Sequence, residues 1–375
     1  VKFLLVNYEF PPIGGGAATA TQAIARNLSA LGHGVTVLTS GLGKLPRHSI
    51  EDGVAVSRVS CVRKRADRAS LFEMFTFVAG ALLRAPLIFI RDRPDAVIVF
   101  FSVPSGPVGL MGKMLFGIPY AVSLRGGDVP GLVPELAFLH KILTPLRRLV
   151  LSSARAVVAN SEGLRQLSET ADSYPVSVIP NGVDFEFFRP APAGSTSSLS
   201  DRRLRLLFVG RFQEQKNLEF LFRQLASLPV QAFKLDLVGD GPQKKHLENV
   251  AVQLGIAKSI NWHGWVERGA LPQIYQSADC LVNPSLYEGM PNVVLEAMAC
   301  GLPVMASNVP GNDALVVHNE TGLLFDLKEP DGLLWALKQM HDVDLRRKMG
   351  ARGRARAVAN FSWRATTDAY LALFR

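Results

Sequence analysis

Cysteine is scarce in this chain of 375 residues. There are three, Cys61, Cys280 and Cys300, scattered and without a C-x-x-C pair. That excludes a disulfide framework and leads us to expect reduced thiols in a cytoplasmic compartment. The seven histidines form no spaced ligand set. The lone Asp-x-Asp, Asp342-Val343-Asp344, precedes LRRKMG and reads as the capped start of a surface helix, so no metal site is expected. Low-complexity tracts and nucleic-acid motifs are missing. The chain opens on KFLLVNY, a strand rather than a basic leader with a cleavage site. Its greasiest stretch, Leu71 to Ile90, is interrupted by Glu73, Arg84 and Pro86. A membrane span needs about 20 apolar residues with few charges, so none is expected there.

What is present suits a globular protein with 48% apolar and 19% charged residues. The length exceeds one ordinary core and implies two domains. Acidic residues are outnumbered, for a formal charge of +9. The excess is concentrated early, with 19 basic against 13 acidic residues up to position 185. Such an imbalance fits nucleic acid, anionic lipid or an anionic substrate, and without a nucleic-acid motif the last two are favoured.

Both halves open alike. Phe3 to Val6 reads as a strand, followed by a Pro/Gly loop, a helix from about Thr19 to Leu31 and a strand from Val35 to Leu38. The second half repeats this with a strand at Leu204–Val209, a loop at Gly210–Lys216, a helix at Leu218–Leu228 and a strand at Leu235–Val238. Continuous apolar strands alternating with helices indicate parallel sheets covered on both faces. Two Rossmann-like domains facing across a cleft are expected, joined by the Pro/Ala/Gly/Ser-rich stretch Pro190–Arg203. Ligands of such sheets bind outside the carboxyl ends of the strands.

Three constellations could carry chemistry. Glu288 and Glu296 bracket EGMPNVVLE, where Pro291 suits a first helical turn and the following residues are almost wholly apolar. Carboxylates buried beside a helix start suit a ligand that is part sugar and part phosphate; the alternative is one capping and one salt-bridged glutamate. Gly14-Gly15-Gly16 permits a tight turn and close backbone approach to an anion, or is an ordinary strand-to-helix turn. Thr19 breaks the G-x-G-x-x-G dinucleotide fingerprint. Arg211 and Lys216, after a strand end, are placed to neutralise a leaving diphosphate, or are surface charges.

Taken in order, these segments resemble the retaining, nucleotide-sugar-dependent glycosyltransferases of family 4, the group 1 glycosyl transferases of GT-B fold. The likeness is carried by Pro11–Thr39, PNGVD at Pro180–Asp184, VGRFQEQKN at Val209–Asn217 and VGDGP at Val238–Pro242. It continues through the E-x7-E pair and ETGLLF at Glu320–Phe325. The resemblance implies that Glu296 accepts the ribose hydroxyls and that Glu288 faces the transferred sugar. It implies that Gly289, Met290, Pro291 and Asn292 offer backbone N–H groups, and that Gly15, Gly16, Arg211 and Lys216 hold the diphosphate. Val266, in WHGWV, belongs to the segment that receives the base; His263 there is better read as packed or exposed than as catalytic. Many relatives carry Phe-Gly near Met290, and H-G-x-D where this chain has Arg125-Gly126-Gly127-Asp128. Arg125 cannot act as a base. It could bind an acidic acceptor or phosphate while Asp128 orients a hydroxyl, or the two could form a structural ion pair.

The expected domains are 1–189 for the acceptor, a linker at 190–203, 204–358 for the nucleotide sugar, and 359–375 crossing back to the first domain. The expected reaction is metal- and cofactor-independent transfer from a nucleotide-diphosphate sugar, most often a UDP-sugar, to a saccharide or lipid-linked saccharide, with retention. Arg58, Arg63, Lys64, Arg65 and Arg68 beside SLFEMFTFVAGALL suggest peripheral docking on the anionic inner face of a membrane, or else a solvated loop beside a core helix. The arginines from Arg346 to Arg356 read as a solvated helix face. Rival readings are a nucleotide-sugar epimerase, a nicotinamide-dependent oxidoreductase and a non-enzymatic protein of anionic surfaces.

Overall fold

Strands with no polar stripe dominate both halves and assemble into two separate sheets. A computed structural model describes residues 1–66, 69–192 and 203–375; most of the expected linker, and Arg68 of the basic patch, lie outside them. The chain divides into a first unit, Val1–Gly182 with Trp363–Arg375, and a second, Val183–Ser362.

In the first unit the strands are β1 (Lys2–Val6), β2 (Gly34–Ser40), β3 (His48–Glu51), β4 (Val54–Val59), β5 (Ala96–Phe100), β6 (Tyr120–Leu124), β7 (Ala156–Ala159) and β8 (Ser177–Val178). Their order is β3-β4-β2-β1-β5-β6-β7-β8, parallel throughout except for β3 against β4. The helices are α1 (Gly16–Ala30), α2 (Leu71–Asp92), α3 (Gly106–Phe116), α4 (Ala137–Ser153) and α5 (Glu162–Ala171). β5 and β6 are buried along their whole length, as a strand covered on both faces must be.

The second unit carries β9 (Leu204–Val209), β10 (Phe233–Val238), β11 (Ile260–Gly264), β12 (Cys280–Asn283), β13 (Val304–Ser307) and β14 (Gly322–Phe325). All are parallel, in the order β11-β10-β9-β12-β13-β14. Its helices are α6 (Leu218–Ala226), α7 (Lys244–Gln253), α8 (Leu271–Ser277), α9 (Asn292–Ala299), α10 (Gly332–Gln339) and α11 (Val343–Asn360). α12 (Trp363–Ala372) belongs to the first unit, where it packs on α1. Each sheet reverses its winding once, between β1 and β5 and between β9 and β12, and the loops leaving those strands are where ligands of such sheets bind.

Several expectations need correction. Arg58 and Arg63 are not part of a surface patch, being 5% and 8% exposed. Arg58 pairs with Glu51 at 2.7 Å, and Arg63 donates to the carbonyls of Tyr8, Arg65 and Ala66. The arginines of α11 are not simply a solvated face either. Arg354 donates to the carbonyl of Ala299, and Arg356 reaches those of Ala314 and Leu315 while stacking over Phe361. α11 does begin as expected, with Asp342 Oδ1 accepting the N–H groups of Asp344 and Leu345. Pro291 is the residue before the first turn of α9, not in it.

The stretch from Leu71 runs as one uninterrupted helix through Arg84 and Pro86. By length and composition alone α2 is long and apolar enough to cross a membrane. It packs on β2, β4 and α3, burying Phe77, Ala81, Ala85, Ile88 and Phe89, while much of its remaining apolar surface faces outward.

Candidate active site

The loops leaving β9 and β12, on either side of the second unit's winding reversal, are stitched together. Gln215 accepts the N–H of Leu286 on its carbonyl, and its side chain donates to the Tyr287 carbonyl at 2.7 Å. That brings Lys216 to Glu288, with Nζ 2.5 Å from Oε1 and both side chains largely buried. A polar chain extends behind the pair. Ser285 Oγ lies 2.7 Å from Glu288 Oε1 and 2.9 Å from Asn283 Oδ1, and Asn283 donates to Asn312. Glu288 is therefore the salt-bridged glutamate, with its orientation set by Lys216 and Ser285. Close backbone packing holds the neighbouring loop: Gly239 has φ of +132°, and a Cβ there would meet the Gly210 carbonyl oxygen at 1.9 Å. No other residue fits at that crossing.

Glu296 lies in the second turn of α9, on a helix buried from Val294 to Ala299. Its partner is Tyr275 of α8, whose hydroxyl donates to Oε2 at 2.8 Å. Burial pushes the Glu296 carboxyl up to about 7, against the opposing pull of the Arg268 charge and the Tyr275 hydrogen bond. Burial and the Glu296 charge together hold the tyrosine hydroxyl protonated. Arg268 itself lies over the rings of Phe187 and Phe188. The Arg211 guanidinium has no hydrogen-bond or ion-pair partner among the described residues. Met290 is buried in the apolar core around α9, Val266 packs against that core just beyond β11, and Gly289 and Pro291 lead into α9, which Asn292 begins. His263 pairs with Asp236 at 2.7 Å, and Trp262 packs on Phe212 and Phe222, so this strand end is largely structural.

In the first unit the glycine loop leaves β1 at the other winding reversal. Gly15 precedes α1 and Gly16 begins it. Gly14 has φ of +100°, and a Cβ there would meet the Glu9 side chain at 2.6 Å. The Glu9 carboxylate lies against this loop, 3.4 Å from the Gly15 nitrogen and 3.9 Å from the Arg63 guanidinium. It is a carboxylate at a helix N-terminus, which the dipole favours.

Asp128 is buried and takes the N–H groups of Ser102 at 2.7 Å, Arg125 at 2.9 Å and Gly126 at 3.2 Å. It ties the loops after β5 and β6 together. Burial raises its carboxyl, with those backbone bonds pulling the other way. The Arg125 guanidinium turns away from it and forms no side-chain ion pair with it. Instead it donates to Asn181 Oδ1 at 2.6 Å and to the Tyr370 hydroxyl at 3.3 Å, and lies over the Phe100 ring.

The structure brings Lys216 and Glu288 of the expected set together, and it adds Ser285 and Gln215 around that pair, Tyr275 on Glu296 and Glu9 at the glycine loop, none of which the sequence singled out. Ser285 stands three residues before Glu288, a spacing that could have been read. Nothing local marks Tyr275, an aromatic in a short helix 21 residues from its partner.

Comparison with known proteins agrees with this architecture. Residues 196–356 match the family of glycosyl transferases group 1, and residues 15–182 match the glycosyl transferase 4-like domain. An uncharacterised glycosyltransferase of Methanocaldococcus jannaschii is 28% identical over 97% of this chain and 95% of its own. A D-inositol 3-phosphate glycosyltransferase of Thermomonospora curvata is 29% identical over 96% and 90%. A UDP-Gal:alpha-D-GlcNAc-diphosphoundecaprenol alpha-1,3-galactosyltransferase of Escherichia coli is 34% identical over 51% of each chain. Among solved structures, the sucrose-phosphate synthase of Thermosynechococcus elongatus superposes with a TM-score of 0.88 at 24% identity, covering 100% of this chain and 98% of its own. Anabaena HepE, in complex with UDP and glucose, superposes with 0.79 at 20% identity, covering 99% and 98%. The chain belongs to the group 1 glycosyl transferases, family-4-like glycosyltransferases of GT-B fold.

Proposed function

We propose that this glycosyltransferase moves a sugar, with retention of configuration, from a UDP-sugar to a hydroxyl of a saccharide or lipid-linked saccharide. The observation that carries the reading is the clustering of Lys216, Glu288 and Ser285 on stitched loops at a winding reversal. In it, Glu296 accepts ribose hydroxyls, which supply the hydrogen bonds a buried carboxylate needs. Glu288 orients a hydroxyl of the transferred sugar, with Lys216 and Ser285 fixing the position of its carboxylate. The bond from the sugar's anomeric carbon to the diphosphate oxygen breaks, and its electron pair stays on that oxygen. Arg211 and Lys216 stabilise the developing charge, an interaction that strengthens as the transition state forms. The acceptor oxygen bonds the same carbon on the face being vacated, and its proton passes to the departing phosphate oxygen. Asp128, occupied by three backbone N–H groups, positions its loops in this scheme, and Arg125 stands beside the acceptor in the first unit.

UDP is favoured because the fold-related HepE is crystallised with it, and a lipid-linked acceptor because the Escherichia coli relative is named for one. The test is incubation with UDP-, GDP- and ADP-sugars, in the presence of a chelator, against lipid-linked and soluble saccharides. An α-linked product from an α-linked donor supports the reading. An inverted product rejects retention, and isomerisation of donor incubated alone points instead to an epimerase.

A further inference from the structure

α2, α3 and α4 join β4 to β5, β5 to β6 and β6 to β7, so right-handed crossovers place all three on one face of the first sheet. They pack side by side, α2 on α3 and α3 on α4. Their outer surface is apolar to an unusual degree: Phe72, Phe75, Leu87, Met114, Phe138 and Ile142 are between 57% and 76% exposed. Large apolar groups gathered over adjoining helices mark an interaction surface.

The charges on the same helices indicate what it meets. Arg91, Lys113 and Lys141 are exposed, whereas Arg147 and Arg148 both pair with Asp172, at 2.7 and 3.0 Å. The helices' own carboxylates are Glu73, which caps α2, and Asp92, which Arg91 holds at 2.6 Å. A second copy meeting this face about a two-fold axis would set cations against cations, which disfavours it. A broad surface of several helices, apolar with basic residues and almost no free acid, matches a bilayer interface with anionic headgroups.

We infer that the outer face of α2, α3 and α4 docks on bilayers containing anionic lipid, its apolar side chains entering the headgroup boundary and its cations meeting the headgroups. The inference deepens the proposed function by naming where a lipid-linked acceptor is met, and it rests on that reading for the acceptor alone. It also relocates the docking surface, since Arg58 and Arg63 of the originally expected patch are buried.

Flotation of the full chain with phosphatidylglycerol–phosphatidylcholine vesicles tests it. Binding is expected at low salt, at least about tenfold stronger than to phosphatidylcholine alone and weakened as salt screens the cations. Each exposed cation near such a surface is worth about fivefold in partition, so Lys113→Gln/Lys141→Gln should lose more than about tenfold. Phe75→Ser/Phe138→Ser, at exposed positions, should also float poorly while melting like the parent. Absence of flotation with anionic vesicles, or flotation indifferent to both variants, overturns the inference. So does a dimer in sedimentation that Phe75→Ser/Phe138→Ser dissociates, because the face then belongs to a second copy. Transfer to a water-soluble acceptor is read separately. Flotation without transfer keeps the surface and rejects the proposed donor and acceptor, and transfer without flotation does the reverse.

Discussion

Lys216 Nζ lies 2.5 Å from Glu288 Oε1, joining residues 72 positions apart in the chain. The pair is largely buried, so removing one partner strands a charge. Lys216→Met is expected to cost about 3 kcal/mol of stability, whereas Lys216→Met/Glu288→Gln should cost less than the sum of Lys216→Met and Glu288→Gln. Urea unfolding of the two singles and the double checks this, and strict additivity would show the contact to be energetically idle.

Arg211 makes no such contact with the described residues, so its removal should separate catalysis from stability. Arg211→Ala should leave the urea midpoint unchanged while slowing turnover by about 10²–10³-fold, the usual loss when a positioned charge stabiliser is deleted. Matched unfolding and transfer assays read both quantities.

Glu296 gives a signed pH dependence. Burial raises its carboxyl from 4.5 to about 7, so the folded state holds its proton more tightly than the unfolded chain does. Its contribution is fully present below about 4.5 and is lost as pH rises through about 7, roughly 3 kcal/mol in all. Glu296→Gln keeps the Tyr275 hydrogen bond but cannot ionise. Melting of the parent relative to this variant should fall between pH 5 and pH 8 by roughly 5 °C or more. Parallel curves would reject the assignment.

Tyr275 supports the ionised form of Glu296 through its hydroxyl. Tyr275→Phe removes one hydrogen bond, costing about 1 kcal/mol, and should shift the pH midpoint of nucleotide binding upward. A midpoint unchanged from the parent would make the tyrosine a packing residue only.

The parts of this site that were readable in the sequence are those whose meaning is local. Glycine-rich turns, apolar strands and the E-x7-E spacing follow from backbone geometry and periodicity over a few residues, and Lys216 and Glu288 each stood out within their own segments. Their pairing, and that of Tyr275 with Glu296, depends on which strand ends the sheet makes neighbours. The same limit misled the reading of charge. Arg58 and Arg63 look like a surface cluster by composition, yet Glu51 and a set of loop carbonyls draw them inside. Arg354 and Arg356 likewise serve carbonyls of neighbouring segments. Asp128 is identifiable as a loop carboxylate, but three backbone N–H groups from two loops decide that it ties those loops together.

Calorimetric titration with UDP in buffers of different ionisation enthalpy, in the presence of chelator, bears most directly on the donor site. Near pH 7 the parent should bind and release a proton as ribose hydroxyls settle on the Glu296 carboxylate, Glu296→Gln should release none, and Arg211→Ala should bind at least about tenfold more weakly. Equal affinity and equal proton release in all three proteins would place the nucleotide elsewhere.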